Sequence, residues 1–315
     1  MKKLLILVLV LALLPLVACE MKEVTTTYNP GDIAVINKII DKNGLNWEKA
    51  TPADGSYVPE SWAGNLAEEY SAGIDYFGIE WSVDEINKRI TTLYISDLGL
   101  TGKLDVTGLT ALKWFWCDGN QLAEIRVSGL ASLKTLFCYG NQLTALDLSG
   151  LTALETLSCD DNQLTSLDLS GLTLLTWLDC SGNQLTELNL SGLMALTNLY
   201  CSYNQLSWLD VSGLTALKSL HCSNNQLTKL DVSGLTALES LSCFSNQLAT
   251  LDVSNLTSLD WLLCGFNQLS SLALCPTAPY ETISACYNDF TDTSQITGFD
   301  PALWDTGEFR YTPQN

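Results

Sequence analysis

Apolar and polar residues alternate along much of the chain. In Thr156-Leu157-Ser158-Cys159-Asp160 the apolar members fall at every second position, which predicts a half-buried strand. A longer period lies over this one. Eight units run without a gap from Leu109 to Pro276, each close to L-T-A-L-x-x-L-x-C-x-x-N-Q-L-T-x-L-D-V-S-G, and Cys117, Cys138, Cys159, Cys180, Cys201, Cys222, Cys243 and Cys264 mark the 21-residue step. An irregular unit precedes them (Ile90 to Gly108), with Ile95 in the cysteine position. A decayed unit follows, where Tyr280, Ile283, Ala285, Asn288 and Phe290 fill the repeat positions. One unit cannot bury its apolar side alone, whereas stacked units can, with strands about 4.8 Å apart in a parallel sheet. The second half of each unit, as in Leu164, Leu167 and Leu169, repeats the spacing of the first and is too short for a helix. The expected fold is a repeat solenoid, mostly β: a parallel concave sheet, short extended convex segments, and corners at Ser170-Gly171 and its copies.

The run Leu154-x-x-Leu157-x-Cys159-x-x-Asn162-x-Leu164 resembles the leucine-rich repeat family, whose core motif is L-x-x-L-x-L-x-x-N-x-L, with cysteine in place of the third leucine. The resemblance covers about two thirds of the chain. It implies a solenoid that serves as a binding module for a protein or a glycan.

Within that frame the cysteines point inward as small hydrophobes. In-register parallel positions sit near 4.8 Å, beyond the about 3.5 to 4.5 Å of bridged Cβ atoms, so a ladder of reduced thiols is expected. A metal–thiolate column fails because ligands in one row cannot surround a tetrahedral ion. Cys275 and Cys286 lie off the ladder, and a bridge between them requires a distorted last coil. Asn162 and its equivalents turn the chain inward, and their amides can satisfy the turn. Asp105, Asp147, Asp168, Asp210, Asp231 and Asp252 form a second column, interrupted by Arg126 and Asn189. Each is expected to accept the backbone N–H two residues on. Weak cation binding along this column is the alternative, without a calcium loop to support it.

The segments outside the repeats read differently. Lys2 and Lys3 followed by Leu4 to Leu16 form an export signal (residues 1–18), and Leu16-Val17-Ala18-Cys19 resembles a bacterial lipobox. That resemblance implies cleavage before Cys19, lipidation of its sulfur, and a tether over residues 19–27. The expected location is the bacterial cell envelope, at the outer membrane or cell surface, held to the membrane by lipid. Residues 28–89 are read as an N-terminal cap. In it Asp32 to Asn43 forms a helix with Ile33, Ile36, Ile39 and Ile40 on one face, Gly44 ends the helix, and Trp47, Trp62 and Trp81 seal the core. The cap is similar to that of some leucine-rich-repeat ectodomains, without their cysteines. The solenoid proper spans 90–298, and 299–315, with Trp304 and Phe309, caps the far end.

Charge narrows the function. The net charge is −20 over 315 residues, and loss of Lys2 and Lys3 with the signal takes it to −22. With pI ≈ 4.1 the chain repels phosphate backbones, so nucleic acid is excluded as a partner. No nucleophile elbow, zinc helix or phosphate loop occurs, and neither an enzyme nor a cofactor is expected. The outward positions of the concave strands carry Trp114, Trp116, Phe137, Tyr139, Trp177, Tyr200, His221, Phe244 and Trp261, which are the candidate ligand-binding residues. Phe266 lies beside the last two. Aromatics on a polar face suit recognition, although they can also simply pack across strands. The reading is a monomeric surface protein, an adhesin in kind, that binds a protein or glycan on this face. The alternatives are a structural spacer and, more remotely, a carbohydrate-active enzyme using Asp160 and Asp179.

Overall fold

The computed structural model describes residues 25–63, 77–298 and 309–310. The export signal, Cys19, most of the tether, Trp304 and the side chain of Phe309 lie outside the described residues.

A 12-stranded sheet forms the concave side. Its repeat strands are Ile90–Ile95, Trp114–Trp116, Thr135–Phe137, Thr156–Ser158, Trp177–Asp179, Asn198–Tyr200, Ser219–His221, Ser240–Ser242, Trp261–Leu263 and Thr282–Ser284. Neighbours are parallel and in register, so Leu93, Phe115, Leu136, Leu157 and Leu178 form one inward row, continued to Ile283. These side chains are buried almost completely. Burying each contributes roughly 1.5–3 kcal/mol relative to exposure.

The cysteines form the second inward row. All eight are fully buried reduced thiols. Several donate weakly to a carbonyl of the next coil, Cys138 Sγ to Ser158 O at 3.4 Å and Cys159 Sγ to Asp179 O at 3.5 Å. Burial raises their thiol pKa values, that of Cys243 to about 12. Cys275 is also a reduced thiol, so the bridge to Cys286 is not made.

The asparagines hold one coil to the next. Asn162 Nδ2 donates to Cys138 O (3.0 Å) in the preceding coil and to Cys159 O (3.2 Å) and Asp160 O (3.1 Å) in its own. Its Oδ1 accepts from Leu143 N at 3.0 Å. The same set recurs at Asn183, Asn204 and Asn225. A buried amide with every group paired is what a turn inside the core demands.

On the convex side the short extended segments take the place of helices, as expected, but few of them pair. Paired strands occur only towards the two ends: Thr101–Asp105 with Gln121–Arg126, and Thr250–Asp252 with Ser271–Ala273 and Ile296–Thr297. Beyond the bridge from Arg126 to Asp147, the middle coils keep one inter-coil bond near the start of the segment, as from Gln163 N to Leu143 O (2.8 Å), and no convex ladder. Leu167 and Leu188 are nevertheless buried. Apolar spacing reports which side faces inward, and water can satisfy the outer backbone. The aspartate column behaves as expected: Asp168 accepts from Ser170 N at 2.9 Å, Asp210 from Ser212 N at 2.9 Å. Hydrogen bonds from the serine side chain and N–H hold Asp147, Asp210, Asp231 and Asp252 below the ordinary carboxylate pKa.

The N-terminal cap is helix α1 (Pro30–Asn43), two residues longer at its start than the pattern predicts, because Asn29 caps it by accepting from Asp32 N (3.1 Å). Gly44 closes it at φ 62°. Asp32 is fully buried and ties the cap to the first repeat strand. Arg89 donates to it at 2.9 and 3.0 Å, and Ile90 N at 2.8 Å. Trp62 is buried, with its Nε1 donating to Glu48 O at 2.7 Å, and Trp47 and Trp81 pack on the core. Strand Phe77–Trp81 runs antiparallel to Ile90–Ile95 and covers the open sheet edge.

Candidate functional site

Successive side chains of a strand point to opposite faces, so each three-residue strand that buries its central leucine presents the two residues beside it outward. Register then aligns those residues from coil to coil. Trp116 stands beside Phe137, and Asp179 beside Tyr200.

Ring contacts join most of the candidate residues into a ribbon across the N-terminal coils. Tyr94 and Trp116 stack at 4.1 Å between centroids. Trp116 meets Phe137 edge-on at 5.8 Å, and Phe137 meets Trp177 at 6.3 Å, stepping over the coil that carries Ser158. Trp177 and Tyr200 follow at 5.6 Å, then Tyr200 and His221 at 4.8 Å. Tyr139 branches from Phe137 at 6.5 Å. Phe244 belongs to a second cluster near the other end, with Phe266 at 4.9 Å, and Phe266 packs on Tyr287 at 4.1 Å. Trp114 and Trp261 are among the more exposed rings, 37% and 42%, and among the described residues they join neither series. Lys113 Nζ lies 5.8 Å from the Trp114 ring.

Tyr94 and Tyr287 lie in the irregular and decayed units, outside the columns that the regular repeat defines. Placing Ile95 at the cysteine position already puts Tyr94 in the Trp116 row, where the register has it.

Each coil also has one residue in the left-handed region just after its strand. Gly119, Gly140 and Gly182 fill this place in some coils, while Tyr203 (φ 55°), Phe266 (φ 53°) and Tyr287 (φ 56°) fill it in others. A side chain there costs roughly 1–2 kcal/mol relative to the usual backbone, a cost glycine avoids. These large residues are therefore not what the turn requires.

Carboxylates line the ribbon. Asp118 is 6% exposed and accepts from Ser96 Oγ at 2.7 Å. Burial raises its pKa against the lowering effect of its bonds from Ser96 and Tyr139. Asp160 accepts from Ser158 Oγ, and burial pushes its pKa up to about 6. Asp179 accepts from Ser181 N at 3.0 Å and is also raised by burial. Burial lowers the pKa of His221, and its Nε2 sits 3.3 Å from Ser240 Oγ. Beyond the ribbon the face turns to serine, with Ser223 and Ser242 hydroxyls 2.7 Å apart. No grouping of three or more His, Cys, Asp or Glu able to hold a metal ion occurs among the described residues.

Comparison with known proteins agrees with this architecture. The family model for Leucine Rich repeats (2 copies) matches residues 131–172 and 215–258. The functional domain of InlJ from Listeria monocytogenes, which includes a cysteine ladder, is similar at 29% identity and a TM-score of 0.51, over 74% of this chain and 63% of that one. This chain thus spans less than two thirds of that domain. YopM from Yersinia enterocolitica is similar at 26% identity and a TM-score of 0.51, over 67% of this chain and 49% of that one. A plant peptide hormone receptor, RGFR1 in complex with RGF2, shares the fold at 23% identity and a TM-score of 0.55, over 63% of this chain and 36% of that one. No curated protein sequence matches the chain. The 21-residue units match the leucine-rich repeat model over those two stretches, and the fold is that of leucine-rich-repeat proteins.

Proposed function

We propose that this chain is a lipid-anchored surface protein that recognises a protein or glycan ligand through its aromatic concave face, in the manner of an adhesin. The observation that carries the reading is the ribbon from Tyr94 to His221. Coil stacking uses the inward leucine, cysteine and asparagine rows, so it does not call for large rings on the outward face. Tyrosine and tryptophan supply contact area at low entropic cost, which is what a binding surface needs. The fold also serves RGFR1, which is seen in complex with RGF2. Lipid anchoring is supported by Leu16-Val17-Ala18-Cys19, which would hold the face outside the membrane. Among the described residues no helix is long and apolar enough to cross a membrane.

One observation favours a spacer without a ligand. The ribbon rings pack against one another, so they could stabilise the face for its own sake. Binding of the chain from residue 20 onward to an array of extracellular proteins and glycans separates the two, with a Trp116→Ala/Trp177→Ala double variant alongside. A ligand bound by the wild type and lost in a folded double variant supports recognition. No ligand on the array, with a large loss of stability in the double variant, supports the spacer.

A further inference from the structure

The concave face is electrostatically one-sided. From Thr92 to Tyr287 its outward positions and left-handed positions hold no lysine or arginine. Its acids are Asp97, Asp118, Asp160, Asp161 and Asp179, all within the stretch of coils that the ribbon spans. None of the ion pairs among the described residues involves them. Lys134 and Lys218 sit just before the strands and pair there with Glu155 (2.6 Å) and Glu239 (2.9 Å). The partners seen for Asp118, Asp160 and Asp179 are hydroxyl groups and a backbone N–H. Two of the acids lean over a glycine of the next coil. A Cβ on Gly119 would lie 2.0 Å from Asp97 Oδ1, and one on Gly182 would lie 2.3 Å from Asp161 Oδ1. Carboxylates therefore border the ribbon at both Gly119 and Gly182.

The rings add a constraint. Trp116–Phe137, Phe137–Trp177 and Tyr200–His221 are packed with interplanar angles of 82°, 62° and 78°. A glycan chain lying flat needs successive platforms that face the same way, and these do not. Rings at alternating tilts suit side chains of mixed shape, and their faces attract guanidinium and ammonium groups.

We propose that the ribbon, the site of the proposed function above, takes an extended protein segment rich in arginine or lysine, its cations set between the rings and the carboxylates of the N-terminal coils. From the Ile90–Ile95 strand to the Ser219–His221 strand there are six steps in the sheet order. At ~4.8 Å each this is about 29 Å, which an extended peptide covers in about nine residues. Burial raises the pKa values of Asp118, Asp160 and Asp179, neighbouring carboxylates add to the rise, and His221 acts the other way on Asp179, so these acids lack an arginine or lysine partner.

The test is calorimetric titration of the full chain in mild detergent at pH 7.5. The probes are a capped ten-residue peptide alternating arginine and valine, the same peptide with glutamate for arginine, and chito-oligosaccharides. The variants are Asp160→Asn/Asp179→Asn, in which the amides can keep accepting the existing hydrogen bonds, and Trp177→Ala. The basic peptide is expected to bind, to weaken several-fold as salt rises from about 0.05 to 0.3 M, and to lose about tenfold in each variant. The glutamate peptide is expected not to bind. Equal binding of both peptides, no binding of the basic one, or unchanged affinity in the asparagine variant overturns the proposal. A glycan bound by the wild type, lost in Trp177→Ala and indifferent to the asparagine changes also overturns it, while leaving the recognition reading intact.

Discussion

A single strand of this solenoid carries two kinds of position. The inward side of Thr156–Ser158 and its neighbours repeats nearly without change: leucine, then cysteine, then the turn asparagine. The outward side is serine in one coil, tryptophan in the next and histidine further on. The difference follows from what each side touches. An inward residue meets its own copy one coil away, so any change of volume or hydrogen bonding is felt twice. An outward residue meets solvent, a neighbouring ring or a partner, and stacking sets no rule for it. Repetition marks what holds the fold, and departure from repetition marks what the fold presents.

The sharpest way to break this contrast is to remove a member of each row in the middle coils. Asn162→Ala deletes the donors to Cys138 O, Cys159 O and Asp160 O and the acceptor for Leu143 N. Orphaned buried groups cost roughly 1–3 kcal/mol each, so the loss should be on the order of 3 kcal/mol or more, read from urea unfolding. Leu157→Ala comes next, at roughly 2–5 kcal/mol for a fully buried leucine. Trp177→Ala, on the outward side, should cost about 1–3 kcal/mol for its two lost ring contacts, less than Leu157→Ala in the same assay. If it costs as much as Leu157→Ala, the ribbon is a structural element and the contrast fails.

Asp160 gives a smaller effect with a definite sign. Burial puts its folded pKa at about 6, above the ordinary range of an aspartate carboxyl. The folded state therefore binds the proton more tightly than the unfolded chain does, and stability falls as pH rises through roughly 4 to 6. Asp160→Asn should raise Tm at pH 7.5 and leave it unchanged near pH 3.5, and thermal melts at the two pH values check this. A lower Tm at pH 7.5 would mean that the carboxylate is neutralised within the face.

Thiol labelling should show the contrast with almost no perturbation. Iodoacetamide on the native chain should modify Cys286, which is half-buried, and spare the fully buried ladder from Cys117 to Cys264. In urea all of them should react, and mass spectrometry locates the label. Native labelling of Cys159 or Cys180 would show that the coils open.

Much of this was legible in the sequence because repeat position encodes environment. The cysteine ladder, the asparagine turns and the Asp168-to-Ser170 bond each follow from one unit read as a copy of the next. The convex side was not legible to the same degree. Leu167 is buried whether or not the backbone around it pairs, so the leucine spacing cannot separate a ladder from an irregular coil. The Asp32–Arg89 clamp, at 2.9 Å, lies outside the repeat and has no period to reveal it. On the concave face, the outward columns named most of the ring residues. The ribbon's path from Phe137 across a coil to Trp177 depends on side-chain rotamers, which a column of letters does not contain.

The central claim is that inward rows hold the fold and the outward ribbon binds. A substitution scan over residues 90–298, displayed on cells and sorted both for a folded state and for binding to the ligand taken from the array, tests it most directly. The account predicts that inward leucines, cysteines and asparagines fail the fold sort. Trp116, Phe137, Trp177 and Tyr200 variants should pass it and fail only the binding sort. Binding losses that map to the convex side, or outward aromatic variants that fail to fold, would contradict it.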